Sequence, residues 1–305
     1  GGYQVKSSAL PPRAEGAPIP EEMEIVLGNY LTMSDDELRE KMAGCDCFIF
    51  AAGVDERVEF PAPVYAAYEK YNIRPVKRLL GIAKACGVKN CVVLGSYFAY
   101  FAKEHPEMNL CVKHPYIRSR IAQEQSALSF ADDEMSVCVL ELPYIFGTQP
   151  GGMGKITMYP KGGTTMVTVR QVGQAIAGAA ERNRGANCYP IGYYNLTWND
   201  FLKIVHKAMG QPNRKIINIP KWSFQLFGLH MRKVYRNKNV EGGIDPVGLA
   251  DIMCMNTFID PKWCVELGVT GDDIESAIYD SVKLSVDAVH GTQKPLGMKG
   301  ESSLT

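Results

Sequence analysis

Continuous apolar runs alternate with amphipathic segments through the first half of the chain. The runs at 47–53, 90–96 and 136–142 have the length and the uninterrupted apolar character of strands that are covered on both faces. The segments at 76–86 and 115–130 lie between these runs, and the first carries apolar residues at helical spacing. This alternation predicts an α/β fold, in which a parallel sheet has helices on both faces.

The flanking segments predict further elements. Short strands are expected at 2–10 and 23–27, and Ser34 with Glu37 forms a capping-box signature for a helix that ends near 44. The second half predicts strands at 166–169, 189–192 and 216–219, and helices at 170–182 and from Thr197, 260 and 272. We expect a domain over 1–192, a smaller lobe over 193–290 and a flexible tail over 291–305. Trp198, Trp222 and Trp263 are predicted to lie in the core.

Composition excludes several classes of function. The chain of 305 residues has 33 basic and 33 acidic side chains and no long basic stripe, so a nucleic-acid partner is not expected. No apolar run is long enough to span a bilayer, so no membrane partner is expected, and no signal peptide is recognised. The nine cysteines are scattered and odd in number, which favours reduced thiols in a cytoplasmic protein without a bound metal.

A tyrosine and a strong base share one helix face in the segment 115–130. Tyr116 and Arg120 are four residues apart, and a permanent cation there would stabilise a phenolate and lower the pKa of the tyrosine. Ser96 at the end of the neighbouring strand could hold a substrate oxygen. The alternative is an ordinary surface tyrosine and arginine on an amphipathic helix.

Small residues stand where the predicted parallel strands end. Ligands bind beyond these carboxyl ends in doubly wound sheets, and small side chains allow a flat ligand to approach the backbone. The residues concerned are Ala51, Ala52 and Gly53, followed by Ser96 and by Pro143, Tyr144 and Ile145. Close packing of helices on the sheet is the competing explanation for the small residues.

Several motifs, in order, resemble those of the extended short-chain dehydrogenase/reductase superfamily, in its NAD-dependent epimerase/dehydratase family. They are Gly44-Cys45-Asp46 with 48–53; Asn72, Leu79-Leu80 and Gly87-Val88-Lys89; Ser96 with Tyr100; Tyr116, Ser119, Arg120 and Glu124; 142–147; Ile191-Gly192, Asn195 and Thr197-Trp198; and 258–261 with 266–268. The resemblance covers nearly the whole chain. It implies a Rossmann-type doubly wound parallel sheet with a smaller C-terminal α/β lobe that binds substrate.

The resemblance also implies roles for individual residues. Tyr116 would be the general acid/base, Arg120 would hold the nicotinamide ribose, and Ser96 would donate to the substrate oxygen. Asn72 is expected to hold the strand–helix frame. The implied cofactor contacts are Asn29, Tyr30, Ala51, Ala52, Gly53, Tyr116, Arg120, Pro143 and Ile145.

Three departures from the family pattern stand out. The chain begins at what resembles the second strand, so we expect roughly 25 upstream residues, one βαβ step with its glycine-rich turn, to be missing from it. The stretch 147–168 is short, either through a deletion or through an omission. Arg120 replaces the usual lysine, Glu141-Leu142 replaces an arginine, and Arg170-Gln171 replaces a pair of aspartates.

The cofactor is expected to be NAD or NADP. The end of the first strand carries no acid that would favour NAD, and Arg13 could reach a 2′-phosphate, which favours NADP slightly. The basic stretch 233–238 could hold the diphosphate of a nucleotide sugar or could be a solvated face.

The sequence therefore predicts an NAD(P)-dependent oxidoreductase or epimerase/dehydratase that acts on a small molecule, with a nucleotide sugar as the family default and a small ketone as the alternative. A non-catalytic NAD(P)-binding sensor or assembly protein is a second hypothesis, favoured by Arg120. A scaffold without cofactor is a third. A homodimer through the helices at 70–86 and 116–130 is expected by analogy.

Overall fold

The structure is a computed structural model that describes residues 2–11, 20–147 and 158–289. The predicted tail at 291–305, Arg13 and residues 148–157 of the short stretch after Gly147 lie outside these residues. Within them, no helix is both long enough and apolar enough to cross a membrane.

The described residues form fourteen strands and twelve α-helices. The strands are β1 Lys6–Ala9, β2 Glu24–Leu27, β3 Cys47–Phe50, β4 Glu59–Pro61, β5 Asn90–Ser96, β6 Ser136–Leu142, β7 Tyr144–Phe146, β8 Met158–Pro160, β9 Gly163–Thr168, β10 Ala186–Pro190, β11 Tyr194–Thr197, β12 Ile217–Ile219, β13 Val240–Gly242 and β14 Asn256–Thr257. The helices are α1 Asp35–Met42, α2 Tyr65–Tyr68, α3 Arg74–Ala85, α4 Tyr97–Glu104, α5 Leu110–Lys113, α6 Pro115–Leu128, α7 Val169–Arg182, α8 Trp198–Ala208, α9 Lys221–Lys238, α10 Leu249–Met253, α11 Lys262–Glu266 and α12 Ile274–Val289.

A four-stranded parallel sheet in the order β10-β6-β5-β3 forms the centre of the molecule. The two strands β1 and β2 form a separate parallel pair. Among the described residues, neither strand of this pair forms a hydrogen-bonded ladder with β3. All of these strands run in the same sense within their sheets, so their carboxyl ends gather at one edge, as the alternating pattern predicts.

Helices cover both faces of the central sheet. Cys91 and Val93 of β5 pack with α1 and α3 on one face, whereas Val92 packs with α7 on the other. On β6, Val137 and Val139 face the first layer, and Cys138 and Leu140 face the second. Because successive side chains of one strand enter two separate cores, the strand reads as a continuous apolar run. The predicted α/β, doubly wound class is confirmed.

The second half builds smaller sheets beside the main one. β9 lies between β11 and β14 and also pairs with β7, which follows directly from β6. β8 pairs with β12, and β4 pairs with β13. The long helices α8 and α12 pack over β7 and β9 around a fourth core that contains Trp198 and Phe201.

Three helices extend beyond the sequence-based predictions. The helical segment predicted at 76–86 begins earlier, with α2, a π-helical turn at Glu69–Ile73 and then α3. Helix α4 follows β5 without a loop, and the 18 residues of α9 occupy a stretch for which no helix is predicted. The prediction that Trp222 lies in the core is wrong, since this side chain on α9 is 64% exposed.

Candidate active site

The predicted site residues lie at the carboxyl ends of neighbouring strands. Asn29 and Tyr30 follow β2, Ala51 to Gly53 follow β3, Ser96 ends β5, and Pro143 to Ile145 follow β6. The ring of Tyr30 meets Phe50 of β3 edge-on, with 6.0 Å between centroids, so the end of the β1–β2 pair lies against the end of the central sheet. The structure therefore gathers these predicted positions along one edge.

Tyr116 and Arg120 lie one turn apart in the buried first half of α6. Tyr116 is 3% exposed and Arg120 is 9% exposed, and the guanidinium carbon lies 5.0 Å from the centroid of the tyrosine ring. The alternative of an exposed tyrosine and arginine on a solvated helix face is therefore wrong. Pro115 begins the helix at a position where its missing N–H costs no hydrogen bond.

Arg120 is a buried cation held by neutral oxygen atoms. Its Nη1 donates to Gln123 Oε1 at 2.8 Å, its Nη2 approaches the carbonyl oxygen of Val54 at 3.5 Å, and its Nε has no hydrogen-bond partner among the described residues. Since a buried charged donor without a partner is costly, this position fits a ligand that offers hydroxyl or other acceptor oxygens.

Ser96 joins the strand end to the tyrosine. Its side chain caps α4 by accepting a hydrogen bond from the backbone N–H of Phe98 at 3.4 Å, and its hydroxyl is close enough to the Tyr116 side chain to lower the pKa of that tyrosine. The residue is 6% exposed. Ser96 thus has the strand-end capping role and also lies beside Tyr116, and its predicted donation to a substrate oxygen stays a prediction.

The pKa of Tyr116 differs from the sequence-based expectation. Burial raises this pKa, the charge of Arg120 lowers it, the charge of Glu56 raises it, and hydrogen bonds from Ser96 and Arg120 lower it. The net direction is upward from the ordinary value of 10.0, because desolvation of a buried phenolate outweighs one neighbouring cation. Arg120 acts in the predicted direction, but the prediction of a lowered net pKa is wrong for this state of the protein.

Aromatic side chains enclose the tyrosine. The Tyr68 ring lies edge-on to Tyr116 at 5.5 Å between centroids, and the Phe98 ring lies at 6.2 Å on another side. The backbone N–H of Tyr116 donates to the carbonyl oxygen of Gly243 at 2.9 Å, and a Cβ at Gly243 would lie 2.0 Å from the Tyr68 hydroxyl. Sequence reasoning missed Tyr68, Glu56 and Gly243, because each reaches the site from a segment with no recognisable motif.

Asn72 fixes the loop that follows β3, as predicted. Its Oδ1 accepts from the Val54 N–H at 2.8 Å, and its Nδ2 donates to the Val54 carbonyl oxygen at 3.0 Å. The carbonyl oxygen of Asn72 accepts from Gln123 Nε2 at 2.9 Å, which ties the same loop to the side chain that holds Arg120.

The loop after β3 has the form of a cradle for a flat ligand. Gly53 has a φ of +131°, and a Cβ there would lie 2.6 Å from Asn72 Oδ1, so only glycine fits without strain. Ala51 and Gly53 are exposed, and so is Ile145 across the edge of the sheet. Bare backbone and an exposed aliphatic side chain beside the buried Arg120 fit a dinucleotide with ribose hydroxyls.

Asn29, by contrast, has a local contact. Its Oδ1 accepts from the Leu31 N–H at 3.0 Å and so closes the turn after β2. The expectation that Asn29 and Tyr30 meet the adenine stays a prediction. The basic stretch 233–238 lies on α9 with its Lys and Arg side chains exposed, and the choice between a diphosphate contact and a solvated face likewise stays a prediction.

A second group of buried charges lies behind Arg120. Lys103 of α4 donates to Glu124 of α6 at 2.7 Å and forms an ion pair with Glu141 of β6 at 3.1 Å, and Glu141 is 1% exposed. Burial raises the pKa of the Glu141 carboxyl to about 8, the charge of Lys103 lowers it, and the charge of Glu124 raises it. Cys188 adds its thiol within 4.8 Å of the two carboxylates.

Two surface clefts have linings that do not include Tyr116, Ser96 or Arg120. The larger has a volume of about 290 Å³ beside Thr168 and Asp272, and the other has about 240 Å³ beside Phe60 and Lys70. Tyr116, Ser96 and Arg120 instead form a packed cluster, and their chemistry makes them the better site.

By sequence, the chain matches no protein-family model and none of the curated proteins. Its fold, however, matches solved structures over most of both chains. The shared fold is of the Rossmann type. The structure of gox2253 superposes with a TM-score of 0.72 at 18% identity, covering 96% of this chain and 93% of that one.

Two further structures contain the cofactor. WbmH of Bordetella bronchiseptica in complex with NAD⁺ has a TM-score of 0.64 at 14% identity, covering 93% and 90% of the two chains. The UDP-glucuronic acid 4-epimerase of Bacillus cereus in complex with NAD has a TM-score of 0.58 at 11% identity, covering 87% and 82%. The Rossmann-type fold is confirmed, and the slight preference for NADP finds no support in structures that hold NAD.

Proposed function

We propose that this chain binds NAD at the carboxyl ends of β3, β5 and β6 and interconverts an alcohol and a ketone on a nucleotide sugar. Such a reaction underlies epimerases and dehydratases alike. The observation that carries the proposal is the buried contact of Tyr116 with both Ser96 and Arg120, at the strand edge where this fold binds its ligands.

Three features of the chain support NAD as the cofactor. The Ala51–Gly53 loop offers bare backbone, Ile145 offers an apolar surface on the far side, and Arg120 offers an unpartnered donor for ribose oxygens. When bound, the nicotinamide would accept or return the hydride.

The protein's own groups would move the proton and hold the oxygen. As a phenolate, Tyr116 takes the proton from the substrate alcohol during oxidation, and as the neutral tyrosine it returns that proton during reduction. Ser96 donates a hydrogen bond to the same oxygen as negative charge develops on it. Arg120 lowers the cost of the transient phenolate, against the desolvation that raises the pKa of Tyr116.

The surroundings of Tyr116 exclude water from this exchange. Tyr68 and Phe98 pack on the ring, and the hydrogen bond to Gly243 fixes the backbone at the start of α6. A fixed position matters because effective proton transfer requires the hydroxyl within hydrogen-bond distance of the substrate oxygen.

The raised pKa of Tyr116 favours one alternative. A tyrosine that stays protonated in the bound complex would leave a protein that binds NAD without turning over substrate, as a sensor or assembly protein does. The two functions differ in their response to Tyr116→Phe, which removes the proton carrier and keeps the ring packing.

Calorimetry on the full-length protein tests the proposal. NAD or NADH should bind at micromolar concentration and more tightly than NADP or NADPH, and a UDP-sugar should bind more tightly once the cofactor is present. Failure of all four nucleotides to bind would exclude both the enzyme and the sensor.

A homodimer through the helices at 70–86 and 116–130 remains a prediction that sedimentation would check.

A further inference from the structure

Helix α9 presents large apolar side chains to solvent. Trp222, Leu226 and Leu229 are 64%, 57% and 51% exposed, and they follow each other at intervals of four and three residues. This spacing places them on one stripe of the helix. Lys233 and Arg236 continue the same stripe and are also exposed. These five side chains are called the outer stripe.

One flank of the helix, next to the outer stripe, is anchored in the protein. A Cβ at Gly228 would lie 2.4 Å from the carbonyl oxygen of Pro246, so the helix backbone is in close contact with the segment before α10. Lys221 pairs with Asp251 at 2.7 Å, and Arg232 pairs with Asp245 at 2.6 Å. Because these contacts fix the rotation of α9, the outer stripe faces outward as a defined surface.

The chain from residue 201 to the end of α9 carries charge of one sign, and the acidic partners of this helix, Asp245 and Asp251, lie on its anchored flank. The sequence from 201 to 240 contains no Asp or Glu, although the whole chain has 33 acidic and 33 basic residues. Within the described part of the chain, none of Lys233, Arg236 and Lys238 lies in an ion pair. Although the whole chain has equal numbers of acidic and basic residues, α9 therefore has a basic surface with exposed tryptophan and leucine side chains.

We propose that the outer stripe of α9 docks this protein on an anionic lipid surface. Helices that lie in a membrane interface combine exposed Trp and Leu with Lys and Arg, and both interactions stabilise the bound state. From Trp222 to Arg236 the stripe spans about 21 Å at 1.5 Å per residue. The apolar half would enter the headgroup boundary, and the basic half would meet the phosphates.

This surface fits lipid better than a second copy of the chain. In a symmetric dimer through α9 the basic half of each stripe would lie against a partner helix that carries no acidic residue to pair with it. An anionic bilayer supplies the opposite charge and an apolar phase together. The expectation of no membrane partner rests on the lack of an apolar run long enough to span a bilayer. A helix that lies on the membrane surface needs no such run, since only one of its faces is apolar.

Vesicle flotation of the full-length protein tests the proposal. The protein should float with phosphatidylcholine vesicles that contain about one-third phosphatidylglycerol and not with phosphatidylcholine alone, and binding should weaken as salt is added. Trp222→Glu with Leu226→Glu should reduce the partition coefficient at least tenfold. Lys233→Gln and Arg236→Gln should each reduce it on the order of fivefold.

The controls separate this surface from general stickiness and from misfolding. Val112→Glu on α5, where the side chain is 82% exposed, should leave binding unchanged. The tryptophan emission of the wild-type protein should shift to the blue with anionic vesicles, and Trp222→Phe should abolish that shift. NAD binding should be unaltered in the α9 variants.

Three results would overturn the proposal. They are the absence of flotation with anionic vesicles, equal flotation of the wild-type protein and the Trp222/Leu226 variant, and a concentration-dependent dimer that the same variant dissociates. The last result would assign the stripe to a second copy of the chain.

Discussion

Replacement of Glu141 by glutamine should change how stability depends on pH. Glu141 lies 1% exposed beside Glu124, with Lys103 at 3.1 Å. Burial raises its pKa to about 8 from the ordinary 4.5. Between about pH 4.5 and about pH 8, the Glu141 carboxyl is therefore protonated in the folded state and ionised in the unfolded state. With more protons bound in the folded state, the free energy of unfolding falls as pH rises from about 4.5 to about 8.

The magnitude follows from the same two values. One proton gives a slope of up to about 1.4 kcal/mol per pH unit, so this group alone lowers stability by about 3 to 4 kcal/mol between pH 5 and pH 8. Glutamine resembles the protonated carboxyl in size and in neutrality, so Glu141→Gln should match the wild-type protein near pH 5 and exceed it near pH 8.

Urea unfolding at a series of pH values measures this difference. The exposed Glu134 provides a matched control, since Glu134→Gln should leave the pH dependence of the wild-type protein intact. Parallel curves for the wild-type protein and Glu141→Gln would refute the reasoning, as would a variant that is less stable than the wild-type protein at pH 8.

Further substitutions test the parts of the site. Arg120→Met should weaken NAD binding and reduce kcat/KM by about 10²-fold, whereas Arg120→Lys, which keeps the charge, should retain most of the affinity in calorimetry. Ser96→Ala should lower the free energy of unfolding by about 1 kcal/mol, because it removes the cap of α4, and should reduce turnover by about 10²-fold. Ser96→Gly should restore the stability but not the turnover. Gly243→Ala should destabilise the protein by about 1 to 3 kcal/mol and reduce turnover, because its Cβ would lie 2.0 Å from the Tyr68 hydroxyl. Gly173→Ala on α7, where a Cβ meets nothing within 4 Å, is the matched control and should be neutral or stabilising.

The central sheet could be predicted because strands that are covered on both faces appear in the sequence as continuous apolar runs. β5 and β6 are buried on both faces, and their predicted bounds, 90–96 and 136–142, agree with the structure. The start of α1 could also be predicted, since the Ser34–Glu37 capping box is a purely local signal. The position of Ser96 near Tyr116 follows from the same topology.

Other features depend on contacts that a local pattern does not contain. Helix α9 has apolar residues on its outer stripe and also on its inner side, where Phe224 and Met231 are partly buried, so no single apolar face marks it. The direction of the Tyr116 pKa depends on burial and on Glu56, which comes from a loop some 60 residues earlier. The ion pair of Glu141 with Lys103 joins α4 to β6, and no local sequence pattern predicts it either.

The central claim is that Tyr116 transfers the substrate proton while hydride moves to and from NAD. The direct measurement is absorbance at 340 nm after a UDP-sugar is added to the NAD-loaded protein, for the wild-type chain and for Tyr116→Phe, with NAD affinity measured on both. We predict nicotinamide reduction in the wild-type protein and a loss of at least 10²-fold in its rate in Tyr116→Phe, with NAD affinity unchanged within a few-fold. Equal rates in the two proteins would contradict the account.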